Sequence, residues 1–234
     1  PSLIDHLETV ELDAATAQSA AFRMPVQWVN RPNLDFRGFA GLITSGTVKP
    51  GDAVRIVPSG KTSTVSRIVT MGGDLEEAVA GEAVTICLAD EVDCSRGSVI
   101  AAAGDPPESA DQFEANIVWM SEEDLIPGRG YWLKLASQTV TATIAQPKFE
   151  IDVNSLEHLA AKTLRLNGIG VAEVTTDKPI TFEAYASSKA LGGFILIDKL
   201  TNATVGAGTI NFSLRRAQNV HWQALEITRE QHGA

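Results

Sequence analysis

The stretch Lys49-Pro-Gly-Asp-Ala-Val-Arg-Ile-Val-Pro-Ser-Gly-Lys-Thr-Ser-Thr-Val-Ser-Arg-Ile-Val69 alternates turn residues with short runs rich in β-branched side chains. Two such runs occupy residues 53–57 and 65–69. Val and Ile favour extended backbone, whereas Pro, Gly, Asp and Ser favour turns. The stretch therefore predicts two antiparallel strands joined by a hairpin turn at residues 58–61.

The same alternation continues on both sides of this hairpin. Short strands at regular spacing, with turn signals between them, are typical of barrels and sandwiches. We expect an all-β fold of two tandem antiparallel β-barrels, one over residues 22–104 and one over residues 111–210. Residues 105–110 should form a stiff linker, because Pro106 and Pro107 restrict its backbone. The remaining predicted strands are residues 24–29, 38–43, 83–88, 113–119, 130–135, 139–144, 170–174, 180–185 and 193–198.

The beginning of the chain has a different pattern. Ser2 can cap a helix whose apolar residues recur at helical spacing, namely Leu3, Ile4, Leu7 and Val10. Beyond Leu12 no large apolar residue follows until Phe22. Residues 1–21 are therefore expected to be a helix tail and a linker. Because the chain starts at Pro1 without Met, we expect it to have been cut from a longer protein.

Two later segments are also expected to leave the strand pattern. A short helical turn is expected to start at Asn154 or Ser155. The tail, residues 211–234, is expected to be a second linker. Trp222 stands in this polar tail, where an apolar ring usually needs a partner surface.

Composition excludes several classes of function. The 234 residues contain 19 Lys and Arg against 29 Asp and Glu, a formal net charge of −10. Such a surface repels phosphate backbones and anionic lipids, so neither nucleic acid nor a membrane is expected as a partner. The chain has two cysteines, which are too few for a disulfide framework, so a reducing, cytoplasmic location is expected. Cys87 is expected in the core and Cys94 to be partly exposed.

The candidate catalytic and cofactor motifs each lack a residue or a structural context that their function requires. Gly60-Lys-Thr62 matches the end of a phosphate loop, but Arg55 stands where the first Gly belongs and a strand follows instead of a helix. Gly168-Ile-Gly170 and Gly206-Ala-Gly208 lack the third Gly of a dinucleotide fingerprint and are interpreted as turns or close backbone approaches. The four His residues lack metal-ligand spacing. By itself the chain is expected to hold no catalytic residue, cofactor or metal.

Two groups of motifs carry a resemblance to a known superfamily. The first group, Gly46-Thr-Val-Lys-Pro-Gly-Asp52 with Ala80-Gly81 and Ser95-Arg-Gly97, is similar to the second domain of translation-factor GTPases. Leu164-Arg-Leu-Asn-Gly-Ile-Gly170, Gly193-Phe-Ile-Leu-Ile-Asp198 and Thr201-Asn-Ala-Thr-Val-Gly206 resemble their third domain. Both domains are β-barrels in that superfamily, which agrees with the strand pattern.

A closer resemblance within the superfamily is carried by five further motifs: Met24-Pro-Val-Gln-Trp-Val-Asn-Arg-Pro32, Asp35-Phe-Arg-Gly38, Arg67-Ile-Val-Thr-Met71, Asp90-Glu-Val-Asp93 and Asp111-Gln-Phe-Glu114. By these motifs the chain resembles the large GTPase subunits of sulfate adenylyltransferase. The tail from Asn219 to Arg229 is similar to the junction in bifunctional versions that continue into an adenylylsulfate kinase.

The resemblance implies a role in sulfate activation. A small catalytic subunit would make adenylylsulfate and pyrophosphate from ATP and sulfate, and GTP hydrolysis by the large subunit would drive that uphill reaction. GTP and Mg²⁺ are expected on a GTPase domain preceding residue 1, so no GTP-contacting residue is assigned to this chain. The chain would be a non-catalytic coupling arm, with its own GTPase domain and the small catalytic subunit as partners.

Four residues are candidate interdomain or partner contacts: Asp35, Arg37, Arg96 and Trp222. Arg37 and Arg96 are chosen because a guanidinium can pair with carboxylates of a moving partner. Ordinary solvated loop charges are the alternative interpretation for Asp35 and both arginines. Two other functions stay open. One is an elongation-factor-like GTPase fragment that binds RNA, against which the net charge argues, and the other is a stand-alone ligand-binding barrel.

Overall fold

The structure is a computed structural model that describes residues 2–9, 14–33 and 35–214. Helix α1 spans Leu3–Thr9 and helix α2 spans Ala14–Ser19. The predicted cap of α1 is confirmed, because the Ser2 hydroxyl accepts a 3.1 Å hydrogen bond from the Asp5 N–H. Helix α2 lies in the expected linker, and its alanine-rich sequence has the high intrinsic helix propensity that explains it.

Among the described residues, the strands of the first half are β1 Arg23–Asn30, β2 Gly38–Leu42, β3 Thr47–Val48, β4 Ala53–Val57, β5 Thr62–Thr70, β6 Gly73–Leu75, β7 Ala78–Val79, β8 Ala83–Leu88 and β9 Val99–Ala102. Six of these strands close the first antiparallel barrel in the order β4-β9-β1-β2-β8-β5, because β5 pairs back onto β4. The predicted hairpin is confirmed: Arg55 pairs with Thr62, and residues 58–61 form the turn between them.

Within the described part of the second half, the elements are β10 Glu108–Trp119, β11 Gly130–Leu135, β12 Gln138–Ile144, β13 Phe149–Ile151, β14 His158–Leu159, β15 Ile169–Phe182, α3 Lys189–Gly192, β16 Gly193–Ile197 and β17 Thr204–Ser213. The second barrel closes in the same way as the first, through the order β10-β17-β16-β11-β12-β15 and a pairing of β10 with β15. The short helix α3 leads directly into β16. The predicted all-β class with two tandem antiparallel barrels is thus confirmed.

The helical turn expected at Asn154 or Ser155 is wrong. This segment is the tip of the β13–β14 hairpin. The Asp152 carboxylate accepts hydrogen bonds from the N–H groups of Asn154 (2.8 Å) and Ser155 (2.9 Å), and such local bonding favours a turn over a helix. Leu156 then takes a left-handed conformation, with φ of 61°.

Each barrel encloses its own hydrophobic core, and strand β9 contributes to both. The side chain of Ile100 is fully buried in the first core, among residues such as Met24 and Ile56. The preceding residue, Val99, is fully buried in the second core. Successive side chains of a strand point to opposite faces, so one strand can serve two interiors.

A buried arginine also joins the two halves. Arg23, at the start of β1, is only 4% exposed. Its Nε lies 2.9 Å from Glu183 Oε1 in the second half, and its Nη2 lies 3.6 Å from Asp105 Oδ2 in the connection between the barrels. Its Nη1 donates a 3.0 Å hydrogen bond to the Phe22 carbonyl. The fork of one guanidinium therefore ties together both barrels and the segment between them.

Candidate docking site

A polar hollow of 440 Å³ opens on the first barrel, where the loop after β1 approaches β5 and the end of β8. Two of the predicted contact residues, Asp35 and Arg37, line this hollow together. Arg31 and Arg67 line it as well, and Phe36 gives it an apolar side. The hollow is thus a cluster of three arginines, three carboxylates and two aromatic rings.

Arg37 is held in position but weakly paired. Its guanidinium lies 5.4 Å from the centre of the Phe39 ring, a cation–π contact that orients the group. Its ion pair with Glu91 is long, at 3.8 Å, and the Glu91 side chain is 79% exposed. An exposed pair of this length contributes little stability, so the guanidinium is available to another carboxylate.

Arg67 differs from Arg37 because its charge is already used within the barrel. Its Nε and Nη2 donate hydrogen bonds of 2.7 and 2.9 Å to the two carboxylate oxygens of Asp74. This forked pair lowers the pKa of Asp74 and raises that of Arg67, mainly through the hydrogen bonds. Arg67 therefore shapes the wall of the hollow instead of offering a free contact.

Arg31 and Asp35 are the exposed, unpaired charges of the hollow. Within the described residues neither side chain takes part in an ion pair. Sequence inspection missed Arg31 and Arg67 as members of this site. Arg67 lies in a predicted strand and in a motif of the resemblance, but its place in the same hollow as Arg37 depends on strand register.

Arg96 lies at a different place, in a cleft between the two barrels. Its Nη1 donates a 2.7 Å hydrogen bond to the Gln27 carbonyl, which fixes the exposed side chain against β1. The structure thus brings Asp35 and Arg37 together and separates Arg96 from them. The fourth predicted contact, Trp222, lies outside the described residues.

Neither cysteine of the chain offers a reactive thiol. Both cysteines are buried, so the expectation that Cys94 is partly exposed is wrong. Burial raises the pKa of the Cys94 thiol to about 12 and also raises that of Cys87, which keeps both sulfurs protonated near neutral pH. Among the described residues, no three His, Cys, Asp or Glu side chains are grouped to hold a metal ion.

The motif that resembles a phosphate loop, Gly60-Lys-Thr62, does not have the geometry that binds nucleotide phosphates. Gly60 has φ of 74° in the β4–β5 turn, and β5 follows at once. A phosphate site of that type needs a helix N-terminus after the glycine. Separately, no helix in the described residues is both long and apolar enough to cross a membrane.

Comparison with protein families matches both halves of the chain. Residues 40–101 match the family described as elongation factor Tu domain 2. Residues 112–211 match the family described as GTP-eEF1A C-terminal domain-like. A crystal structure of sup35 complexed with GMPPNP has the same fold, with a TM-score of 0.79 over 92% of this chain and 52% of that one, at 19% identity.

Curated relatives are considerably more similar. The bifunctional enzyme NodQ of Rhizobium sp. (strain N33) is 52% identical over 97% of this chain and 35% of its own length. The bifunctional enzyme CysN/CysC of Xylella fastidiosa is 49% identical over 97% of this chain and 36% of its own length. Sulfate adenylyltransferase subunit 1 of Vibrio cholerae is 45% identical over 98% of this chain. The chain spans between 35% and 52% of the length of these relatives.

Proposed function

The chain belongs to the family of NodQ, CysN/CysC and sulfate adenylyltransferase subunit 1, and we propose that its two barrels couple GTP hydrolysis to adenylylsulfate synthesis without catalysing either reaction. In this role they carry a GTPase domain on one side and dock the small catalytic subunit on another. The nucleotide bound to the GTPase domain then determines which surfaces of that domain and of the barrels touch. The resulting displacement of the barrels is passed to the small catalytic subunit, which joins ATP and sulfate.

The rigidity of the barrel pair supports this proposal, because two barrels that transmit a displacement must move as one body. The buried Arg23–Glu183 pair and the shared strand β9 connect the barrels through their interiors, with Val99 and Ile100 in different cores. Packed interiors transmit displacement because they have low compressibility. A movement imposed on one barrel is therefore carried to the other.

The docking role rests on two arginines of the hollow. Arg37 is weakly paired, and Arg31 has no ion-pair partner among the described residues. Both are held at the rim of one hollow in a chain whose formal net charge is −10. A weakly paired and an unpaired arginine can each contact a carboxylate of a partner, and the fork of the guanidinium gives such a contact direction. We assign this surface to the small catalytic subunit.

GTP and Mg²⁺ are proposed to bind in the part of the longer relatives that this chain does not span, since the one phosphate-loop candidate here is a hairpin turn. A cytoplasmic location is proposed for the same assembly. The alternative of an RNA-binding elongation-factor fragment is not favoured, because the relatives at 45–52% identity carry sulfate-activation names. The net charge of −10 argues in the same direction.

Calorimetric titration of this chain with the small catalytic subunit, at physiological salt and without nucleotide, tests the proposal. We expect a saturable complex that weakens as salt is added, because charged contacts are screened. The variant Arg37→Ala should weaken it about tenfold or more, the loss typical of an interface anchor.

Arg165→Ala is the matched control, because Arg165 is an exposed arginine of the second half that does not line the hollow. It should leave affinity within about twofold, a change of less than about 0.5 kcal/mol. No detectable heat would contradict docking on these barrels alone. Equal losses in both variants would contradict the assignment to this hollow.

A further inference from the structure

The cleft that holds Arg96 encloses 680 Å³ between the two barrels. The first barrel contributes the β4–β5 turn and the loop before β9, and the second contributes the β11–β12 hairpin and part of β15. The walls come close together, since a Cβ at Gly97 would lie only 3.7 Å from Gln138 Cγ. A pocket of this size between two domains is a common place for a small ligand.

Two cationic side chains, Arg96 and Lys178, line this cleft from opposite barrels, with Asp93 as the one carboxylate of the lining. Within the described residues neither cation is paired with a carboxylate, and Arg96 is oriented by its bond to the Gln27 carbonyl. Most of the surface of this chain repels anions because of the net charge of −10. The cleft is an exception, because its lining has two cations and one carboxylate.

A second observation is a buried hydroxyl without a partner. Ser137 lies in the lining and is 9% exposed, and its Oγ has no hydrogen-bond partner among the described residues. Its neighbour Gln138 is fully used, because its amide exchanges two 2.8 Å hydrogen bonds with the backbone of Thr181. An unsatisfied buried hydroxyl destabilises the folded protein, and a ligand oxygen that accepts its hydrogen bond would remove that cost.

The remaining lining is apolar and includes Pro58, Val140, Pro179 and Ile180. We propose that the cleft binds a tetrahedral oxyanion, phosphate or sulfate, free or as the ester of a small organic group. Arg96 and Lys178 hold the oxyanion from the two barrels, Ser137 donates a hydrogen bond, and the apolar lining receives the organic part. The bound anion thereby links the two barrels.

The test is calorimetric titration of this chain with inorganic phosphate, sulfate and phenyl phosphate, at constant ionic strength set with sodium chloride. We expect saturable binding. Tighter binding of phenyl phosphate identifies an ester as the preferred form, and equal binding identifies the free ion. The double variant Arg96→Gln with Lys178→Gln should weaken binding about tenfold or more, since charge-assisted hydrogen bonds are lost.

The control is Lys162→Gln with Arg165→Gln, two exposed residues outside the cleft, which changes the net charge equally. It should leave affinity within about twofold. Ser137→Ala separates binding from folding, because it should keep or raise the melting temperature without ligand while it weakens binding. No saturation with any probe, or equal effects of the two double variants, would overturn the proposal. No partner subunit is present, so the result is independent of the docking role.

Discussion

Gly208, in β17, has no room for a methyl group. A Cβ at this position would overlap the ring of Phe194, which is 4% exposed and packs edge-on against Phe113 at 5.9 Å. We expect Gly208→Ala to lower the free energy of unfolding by about 1–3 kcal/mol, the usual cost of overpacking a core. Chemical denaturation followed by tryptophan fluorescence measures the loss.

Gly104→Ala is the matched control, because a Cβ there meets no atom within 4 Å. It should change the free energy of unfolding by less than about 0.5 kcal/mol. Equal losses in both variants would contradict the steric explanation. The comparison also tests how Gly206-Ala-Gly208 is interpreted: the structure has a strand with a close approach here, and the turn that the sequence also suggested is absent.

The two cysteines should be inert in the folded chain. Because burial raises the pKa of Cys94 to about 12, its thiolate fraction at pH 8 is negligible, and the sulfur is also inaccessible. We expect iodoacetamide at pH 8 to leave both thiols unmodified in the native protein. Mass spectrometry should find two additions after denaturation. Rapid single labelling of the native chain would contradict the burial of one of them.

At the scale of single residues, sequence patterns locate some contacts and miss others. They predict Asp35 and Arg37 as loop charges, and the structure brings both to one hollow. They do not predict that Arg67 lines the same hollow as Arg37, because this depends on the register in which β5 pairs with β8. The partial exposure expected for Cys94 fails for the same reason, since burial depends on distant strands.

At the scale of elements, the β13–β14 hairpin should respond to acid. The N–H groups of Ser155 and Asn154 stabilise the Asp152 carboxylate and lower its pKa below the unfolded value. This stabilisation is therefore present above the unfolded pKa and is lost as the pH falls through the folded one. We expect hydrogen exchange at the hairpin tip to lose relative protection below about pH 4. Asp152→Asn should remove this pH dependence. An unchanged pH dependence in the variant would contradict the role of the Asp152 carboxylate.

Leu156, at the tip of the same hairpin, combines a φ of 61° with a side chain that is 72% exposed. The left-handed conformation costs a non-glycine residue about 1–2 kcal/mol, and little packing is lost when an exposed side chain is removed. Leu156→Gly should raise the free energy of unfolding by a few tenths to about 1 kcal/mol, because relief of the left-handed conformation outweighs the larger backbone entropy that glycine loses on folding. Leu159→Gly, in the adjoining strand, should lower it.

Strand prediction succeeds where β-branched residues dominate and fails where they do not. The bounds of β4, β8 and β11 agree with the predicted runs. Strand β17 was not predicted, because Gly and Ala interrupt it and have low strand propensity. Strand β9, with the sequence Val-Ile-Ala-Ala, was missed for its short length. These two strands complete the rings, so closure of the barrels had to come from the structure.

At the scale of the whole molecule, the Arg23–Glu183 pair should decide whether the barrels unfold together. Arg23→Ala leaves the Glu183 carboxylate, 20% exposed, without its partner. Breaking a buried pair from one side costs about 3–5 kcal/mol. We expect a lower melting temperature and two calorimetric transitions in place of one. Lys134→Ala, an exposed cation of the second barrel, is the control and should keep one transition.

Strand β9 has a consequence for how such chains can be recombined. Its alternate side chains, Val99 and Ile100, belong to two interiors, so its sequence has to satisfy two sets of neighbours at once. In a chimera that joins this first half to the second half of another protein, Val99 would enter a core whose side chains do not pack against it in the same way. Productive crossover points therefore lie outside the barrel pair, and the two barrels are expected to be inherited as one unit.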